Sequence, residues 1–188
     1  MYYVWTTSNN YPNSYWLKYD WKNNPDYLQF IDNQEAMSIK EDEKIVLHLN
    51  QKVKIEKFLS YDYLLSDAVV LVSEKLACLM EQLASNDVKL VKAIILPSDQ
   101  FIGNYYIPII LNTISCINKK ESIYDKDLED YTKLCFKKGS LKEHVIVKAK
   151  GYELGNSIVA KTFVEACIKE KIKGIDFVEE PYFNPLYN

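Results

Sequence analysis

The chain has 188 residues, of which 48% are hydrophobic, enough for a packed core, so disordered and fibrous classes are excluded. Its 23 basic and 26 acidic side chains leave a net charge of -3, too small to announce a nucleic-acid or membrane partner. Every basic residue is Lys, so the forked guanidinium that favours bidentate phosphate or guanine recognition is missing.

Residues 2 to 6 (Tyr-Tyr-Val-Trp-Thr) are β-prone and end at Asn9, Asn10, Pro12 and Asn13, which predicts a short opening strand and a loop. Residues 15 to 30 carry Trp16, Tyr19, Trp21 and Tyr27 around Asn23-Asn24-Pro25 and read as an aromatic-rich loop with strand pieces. From Asp20 to Glu43 there are seven acids (Asp20, Asp26, Asp32, Glu35, Glu41, Asp42, Glu43) against Lys22 and Lys40, the sharpest charge asymmetry in the chain. Residues 45–49 and 53–55 read as two strands of a hairpin.

At Ser66-Asp67 the character changes. Ala68 to Val72 runs into Ser73-Glu74, where Ser73 can cap a helix over about 74–84. Leu76, Leu79, Met80 and Leu83 recur at helical spacing and form its expected core stripe. Residues 88–96 and 105–111 read as strands, and Pro108 favours an edge or a bulge in the second. Residues 118–133 are polar, compatible with a loop and a short helix near 127–134. A strand at 145–147, a loop at 151–156 and a helical stripe of Val159, Phe163, Ala166 and Cys167 follow, with Gly174 as a left-handed cap before a strand at 175–177. Placed over residues 72–90, residues 159–177 show the same layout: Val72 with Val159, Leu76 with Phe163, Met80 with Cys167, Val88 with Ile175 and Leu90 with Phe177. Either an internal duplication or a chance match of two strand–helix–strand units explains it.

Cys78, Cys116, Cys135 and Cys167 stand singly, with no zinc spacing, so four free thiols, a reducing compartment and no metal are expected. Cys78 and Cys167 both fall on apolar helical stripes and read as core residues. The N-terminus lacks a signal-peptide pattern and no window suits a membrane span, which points to the cytoplasm. Only His48 and His144 could act as imidazole bases; His144 with Cys135 or Cys116 is the catalytic pairing to weigh, and no nucleophile motif brackets either Cys. The five glycines form no phosphate-cradling loop, and no cofactor is expected. The 15 tyrosines fit either an interface or ordinary half-buried positions.

Val70-Leu71-Val72-Ser73-Glu74-Lys75-Leu76, Tyr105-Tyr106, the stretch Ile114 to Ser122, Ile158-Val159 and Gly174-Ile175-Asp176-Phe177 together resemble the immunity proteins of bacterial polymorphic toxin systems. The group in question is the myxobacterial-type immunity domain, once a domain of unknown function, and the match spans roughly residues 66 to 178. Two acidic positions of the family's "D..D...S" segment are Ser115 and Asn118 here, with Ser122 kept, and the second "VS" is Val159-Ala160. The resemblance implies a protein that neutralises a cognate toxin by binding it, with no reaction of its own.

The expected fold is α+β, a mixed or mainly antiparallel sheet with at least two packed helices. A single domain over 1–188 is preferred to separate lobes at 1–64 and 65–188. The expected function is that of a cytoplasmic immunity protein whose partner is a toxin domain, not nucleic acid or a membrane; a second copy of the chain is a further candidate partner. A small hydrolase acting through Cys or carboxylates is the alternative. Trp21, Asp26, Tyr27, Asp32, Glu35, Glu41, Asp42 and Glu43 form the candidate partner surface, aromatic anchors among steering carboxylates. The loop Glu179-Glu180-Pro181-Tyr182-Phe183 is the next candidate.

Overall fold

The computed structural model describes residues 1–30, 38–39, 44–49, 52–96 and 102–183. Its strands are β1 (Tyr2–Thr7), β2 (Lys18–Tyr19), β3 (Ile45–His48), β4 (Tyr63–Leu65), β5 (Val70–Ser73), β6 (Val88–Leu96) and β7 (Tyr105–Ile110). The second half adds β8 (Thr113–Ile114), β9 (Ile123–Asp125), β10 (Asp130–Leu134), β11 (Ile146–Ala149), β12 (Ile158–Ala160), β13 (Ile175–Glu179) and β14 (Tyr182–Phe183). The α-helices are α1 (Ile55–Phe58), α2 (Glu74–Ala84) and α3 (Lys161–Lys169). They accompany a six-stranded sheet in the order β2-β3-β6-β7-β5-β4, a five-stranded sheet β13-β1-β12-β11-β8 and a small sheet β14-β10-β9. Among the strands of the described residues only β3–β6 and β11–β8 pair in parallel, so the fold is α+β with mixed, mainly antiparallel sheets.

Two strand–helix–strand units share one topology. In the first, β5 leads into α2 and returns as β6, with β7 antiparallel between the two strands. In the second, β12 leads into α3 and returns as β13, and β1 from the other end of the chain fills the same central place. The outer neighbour also matches, β4 beside β5 and β11 beside β12. Val72, Leu76, Met80 and Val88, with their counterparts Val159, Phe163, Cys167 and Ile175, all lie buried in one cluster. Leu90 and Phe177 pack against its rim.

Side-chain alternation along the strands sets the layering. On β7, Tyr105, Ile107 and Ile109 face a core shared with Leu17, Leu47 and Phe58, while Ile110 joins the helix cluster. On β1, Tyr2 and Val4 face a third core with Leu134 and Tyr182, while Trp5 joins the helix cluster. Each large sheet thus turns one face to α2 and α3 and the other to a core of its own.

Ser73 starts α2 as expected: it is extended at ψ 163° and its Oγ accepts from the Leu76 N–H at 3.3 Å. The same hydroxyl donates to Asp62 Oδ1 at 2.7 Å. Asp62 Oδ2 accepts from the Lys173 N–H at 2.9 Å, so this carboxylate joins the helix start to the loop behind α3. Ser73→Ala is expected to lower stability by about 1–2 kcal/mol, because it removes a cap and a donor to a buried carboxylate together. A urea melt giving no loss would contradict that role.

Several local expectations are corrected. Residues 53–55 form no strand: β3 pairs instead with β2 and, in parallel, with the distant β6. Residues 123–134 form the β9–β10 hairpin, not a helix. Helix α3 stops at Lys169, Lys171 takes the left-handed turn at φ 54°, and Gly174 serves a different need. It sits at φ +98°, and a Cβ there would lie 2.7 Å from the Tyr63 carbonyl oxygen. Pro108 lies in a central strand, yet β5 pairs with β7 only at Tyr105 and Tyr106, so its missing N–H breaks no ladder bond. Cys78 faces outward on α2, and Ala77 takes the inward place.

Candidate partner-binding surfaces

Three of the sequence-predicted site residues, Trp21, Asp26 and Tyr27, fall in one built turn. Asp20 organises it: its carboxylate accepts from the backbone N–H groups of Lys22 and Asn23, both at 3.2 Å, and from Asn23 Nδ2 at 2.8 Å. The Asn23 side chain, with His48 and the two backbone donors, holds the Asp20 carboxyl below the usual range against the opposing effect of desolvation. Asn24 then imitates a strand partner, donating Nδ2 to the Val46 carbonyl at 2.7 Å and accepting from the Val46 N–H at 2.9 Å. Tyr19 OH donates to the Pro25 carbonyl at 2.8 Å.

On this frame the Trp21 ring is 57% exposed, held edge-on to Tyr19 at 5.2 Å and to Tyr27 at 5.7 Å. Asp26 is exposed and accepts from the Leu28 N–H at 3.0 Å, closing the turn that carries Tyr27. Beside it, desolvation would raise the Asp67 carboxyl, but hydrogen bonds from the Tyr19 N–H, the Trp21 side chain and Lys18 outweigh it and hold the group low. An exposed indole fixed by neighbours costs little entropy to bury against a partner. Asp32, Glu35, Glu41, Asp42 and Glu43 lie outside the described residues.

Sequence reasoning missed a second feature, a cleft of about 1020 Å³. Its walls come from β1, β4, β5, β7 and β13, the β9–β10 hairpin, the loop 151–157 and β14. Only Tyr182 and Phe183, from the second candidate segment, pointed toward it. Gly155 lies under the Tyr152 ring so closely that a Cβ would stand 2.1 Å from it, which fixes that ring in the cleft wall. Burial pushes the Tyr152 hydroxyl up to about 12.

The groups weighed for catalysis have structural partners. His144 Nδ1 is 2.7 Å from Asp87 Oδ1, and Cys135 Sγ donates to the Glu121 carbonyl at 3.6 Å. Burial pushes the Cys116 thiol up to about 11 and the Cys167 thiol up to about 12, and it raises Cys135. No group of three or more His, Cys, Asp or Glu suited to a metal occurs among the described residues. No helix among them is long and apolar enough to cross a membrane.

All four cysteines are free. A thiol reagent is therefore expected to modify exposed Cys78 quickly in native protein and all four only after denaturation; fast reaction of Cys116 or Cys167 in the native state would contradict the burial. The raised thiols also set a pH dependence. A folded value above the unfolded one favours the neutral form in the native state, so this stability is complete below about pH 9 and is lost as pH rises through about 9 to 12. The urea midpoint is expected to fall across that window; a flat midpoint to pH 11 would refute it.

The α+β frame thus carries a braced, exposed aromatic turn at Trp21. The chain belongs to the Immunity protein family (Imm11), whose family model matches residues 8–180. No curated protein matches the chain. The match begins well before residue 66, so the N-terminal part belongs to the family as the strands after it do, and membership carries a toxin-neutralising role.

Proposed function

We propose that this protein neutralises a cognate bacterial toxin domain in the cytoplasm by binding it stoichiometrically, without a reaction of its own. Family membership carries this reading, and the exposed, braced Trp21 supports binding as the means. Co-expression with the cognate toxin domain tests the role. Growth is rescued and the two proteins co-purify if the reading holds; killing that continues at matched expression contradicts it.

The contact surface is centred on Trp21, Asp26 and Tyr27, and Asp32, Glu35, Glu41, Asp42 and Glu43, acids of the same stretch of sequence, are proposed to contribute to it. The aromatics hold the partner while the acids steer its approach. Trp21→Ala is expected to raise the off-rate by about 30-fold, in the range of interface hot spots. Replacing Asp26, Asp32 and Glu35 by their amides slows association in a salt-dependent way. Surface plasmon resonance on the cognate pair measures both, and unchanged association at low and high salt would remove the acidic segment from the interface. The 1–188 chain is further proposed to act as one domain, with β1, β2 and β3 completing sheets built from later residues.

A further inference from the structure

The proposed contact surface works by burying Trp21, which is 57% exposed in the free chain. An indole has one polar group, its Nε1–H, and a donor buried without an acceptor forfeits the hydrogen bond it makes to water. A partner that covers Trp21 must supply an acceptor or find the donor already satisfied. The fold takes the second course. The Trp21 side chain donates to the carboxylate of Asp67, a residue outside the acidic segment and distant from it in the chain.

Asp67 is placed for this by its own turn, which follows β4. The Ser66 hydroxyl accepts from the Ala68 and Val69 N–H groups at 3.2 and 2.9 Å, which fixes the backbone on either side of Asp67. The Leu17 N–H donates to the Leu65 carbonyl at 2.9 Å and lays the approach to β2 beside that turn. Asp67 Oδ1 then accepts from the Tyr19 N–H at 2.8 Å, and Oδ2 meets Lys18 Nζ at 3.4 Å. One carboxylate therefore holds both the backbone just before Trp21 and the ring itself. Tyr19 and Tyr27, inclined to the indole at 71° and 80°, set its plane, while Asp67 answers its donor. The side chains of Asp67 and Lys18 are 27% and 54% exposed, so water reaches this corner in the free protein.

We propose that Asp67 is a positioning residue for the toxin interface, holding the Trp21 indole in its binding orientation and satisfying its donor before the toxin arrives. This rests on the toxin-neutralising reading and on the Trp21 surface. Its consequence is an effect on binding out of proportion to any effect on folding. In the free chain an indole donor released from Asp67 turns to water, so stability hardly changes. In the complex water is excluded, the same donor is left unpaired, and a ring no longer held must be immobilised on association.

Surface plasmon resonance on the cognate pair at high salt, where steering by charge is screened, tests this with a double-variant cycle. Asp67→Ala is expected to raise the off-rate about tenfold, as a buried donor without its acceptor implies, and to leave the urea midpoint close to that of the parent. Asp67→Asn keeps an acceptor oxygen and should raise the off-rate by less than about threefold. In a Trp21→Phe background, which has no indole N–H, Asp67→Ala should change the off-rate by less than about twofold. The free chain supplies a second readout: in ¹⁵N-labelled protein the Trp21 indole signal, assigned by its loss in Trp21→Phe, should move in Asp67→Ala. An unchanged off-rate in Asp67→Ala, an equal rise in both backgrounds, or an indole signal that stays fixed overturns the proposal. A complex that forms but is indifferent to Asp67→Ala removes the role of Asp67 alone; no complex between the unaltered chain and the toxin removes the toxin-neutralising reading, and this proposal with it.

Discussion

Asp87→Ala is expected to lower the free energy of unfolding by about 3–5 kcal/mol, the cost of stripping a buried polar group from several partners at once. Asp87 is 2% exposed, in the turn between α2 and β6. Its Oδ2 accepts from the Val145 and Ile146 N–H groups at 2.6 and 3.2 Å. Its Oδ1 meets His144 Nδ1 at 2.7 Å and accepts from Asn112 Nδ2 at 2.9 Å. The carboxylate therefore ties the first strand–helix–strand unit to the strand that flanks the second. Alanine leaves two strand N–H groups at the start of β11 without acceptors. Asp87→Asn keeps one acceptor oxygen and should cost less. Urea melts read both, and a loss below 1 kcal/mol for alanine would show that the two units do not depend on this link.

The second large effect distinguishes two faces of α2. Met80→Asp places a charge at a fully buried position between the two large sheets and is expected to cost at least about 4 kcal/mol. Leu79→Asp should cost much less, since Leu79 is only half-buried and Leu83 is 38% exposed. Equal losses in chemical melts would mean that the helix is rotated relative to this packing.

That contrast shows what the sequence could and could not reveal. The helix itself was legible from Ser73, Glu74 and the leucine spacing, but its buried face is Leu76, Ala77, Met80 and Ala84. A hydrophobic pattern favours the larger leucines, whereas a helix between two sheets buries the small alanines where the backbone must come close. The register between the two units was legible for the same reason it is structural: Leu76 with Phe163 and Met80 with Cys167 fill equivalent places in one cluster. The 45–55 hairpin was misread because local reasoning pairs a strand with its sequence neighbour, and β3 finds its partner in β6 instead. The β9–β10 hairpin was misread because its buried positions Tyr131 and Leu134 stand three apart, across a register irregularity between Tyr131 and Lys133, a spacing that also suits a helix.

The family-like residues turn out to build the frame. Ser122 Oγ donates to the Cys135 carbonyl at 3.2 Å and accepts from the Cys135 N–H at 2.9 Å, which explains a serine there without any catalytic duty. The Trp21 platform was legible because its aromatics and acids are neighbours in the chain. The cleft was not, because eight separate segments meet only in the fold.

Neutralisation by binding, the central claim, is tested most directly by titrating purified toxin domain with this protein and measuring residual toxin activity. Activity is predicted to fall linearly and vanish at one equivalent, without dependence on incubation time once the complex has formed. Progressive inactivation by a small fraction of an equivalent would show turnover and contradict the account.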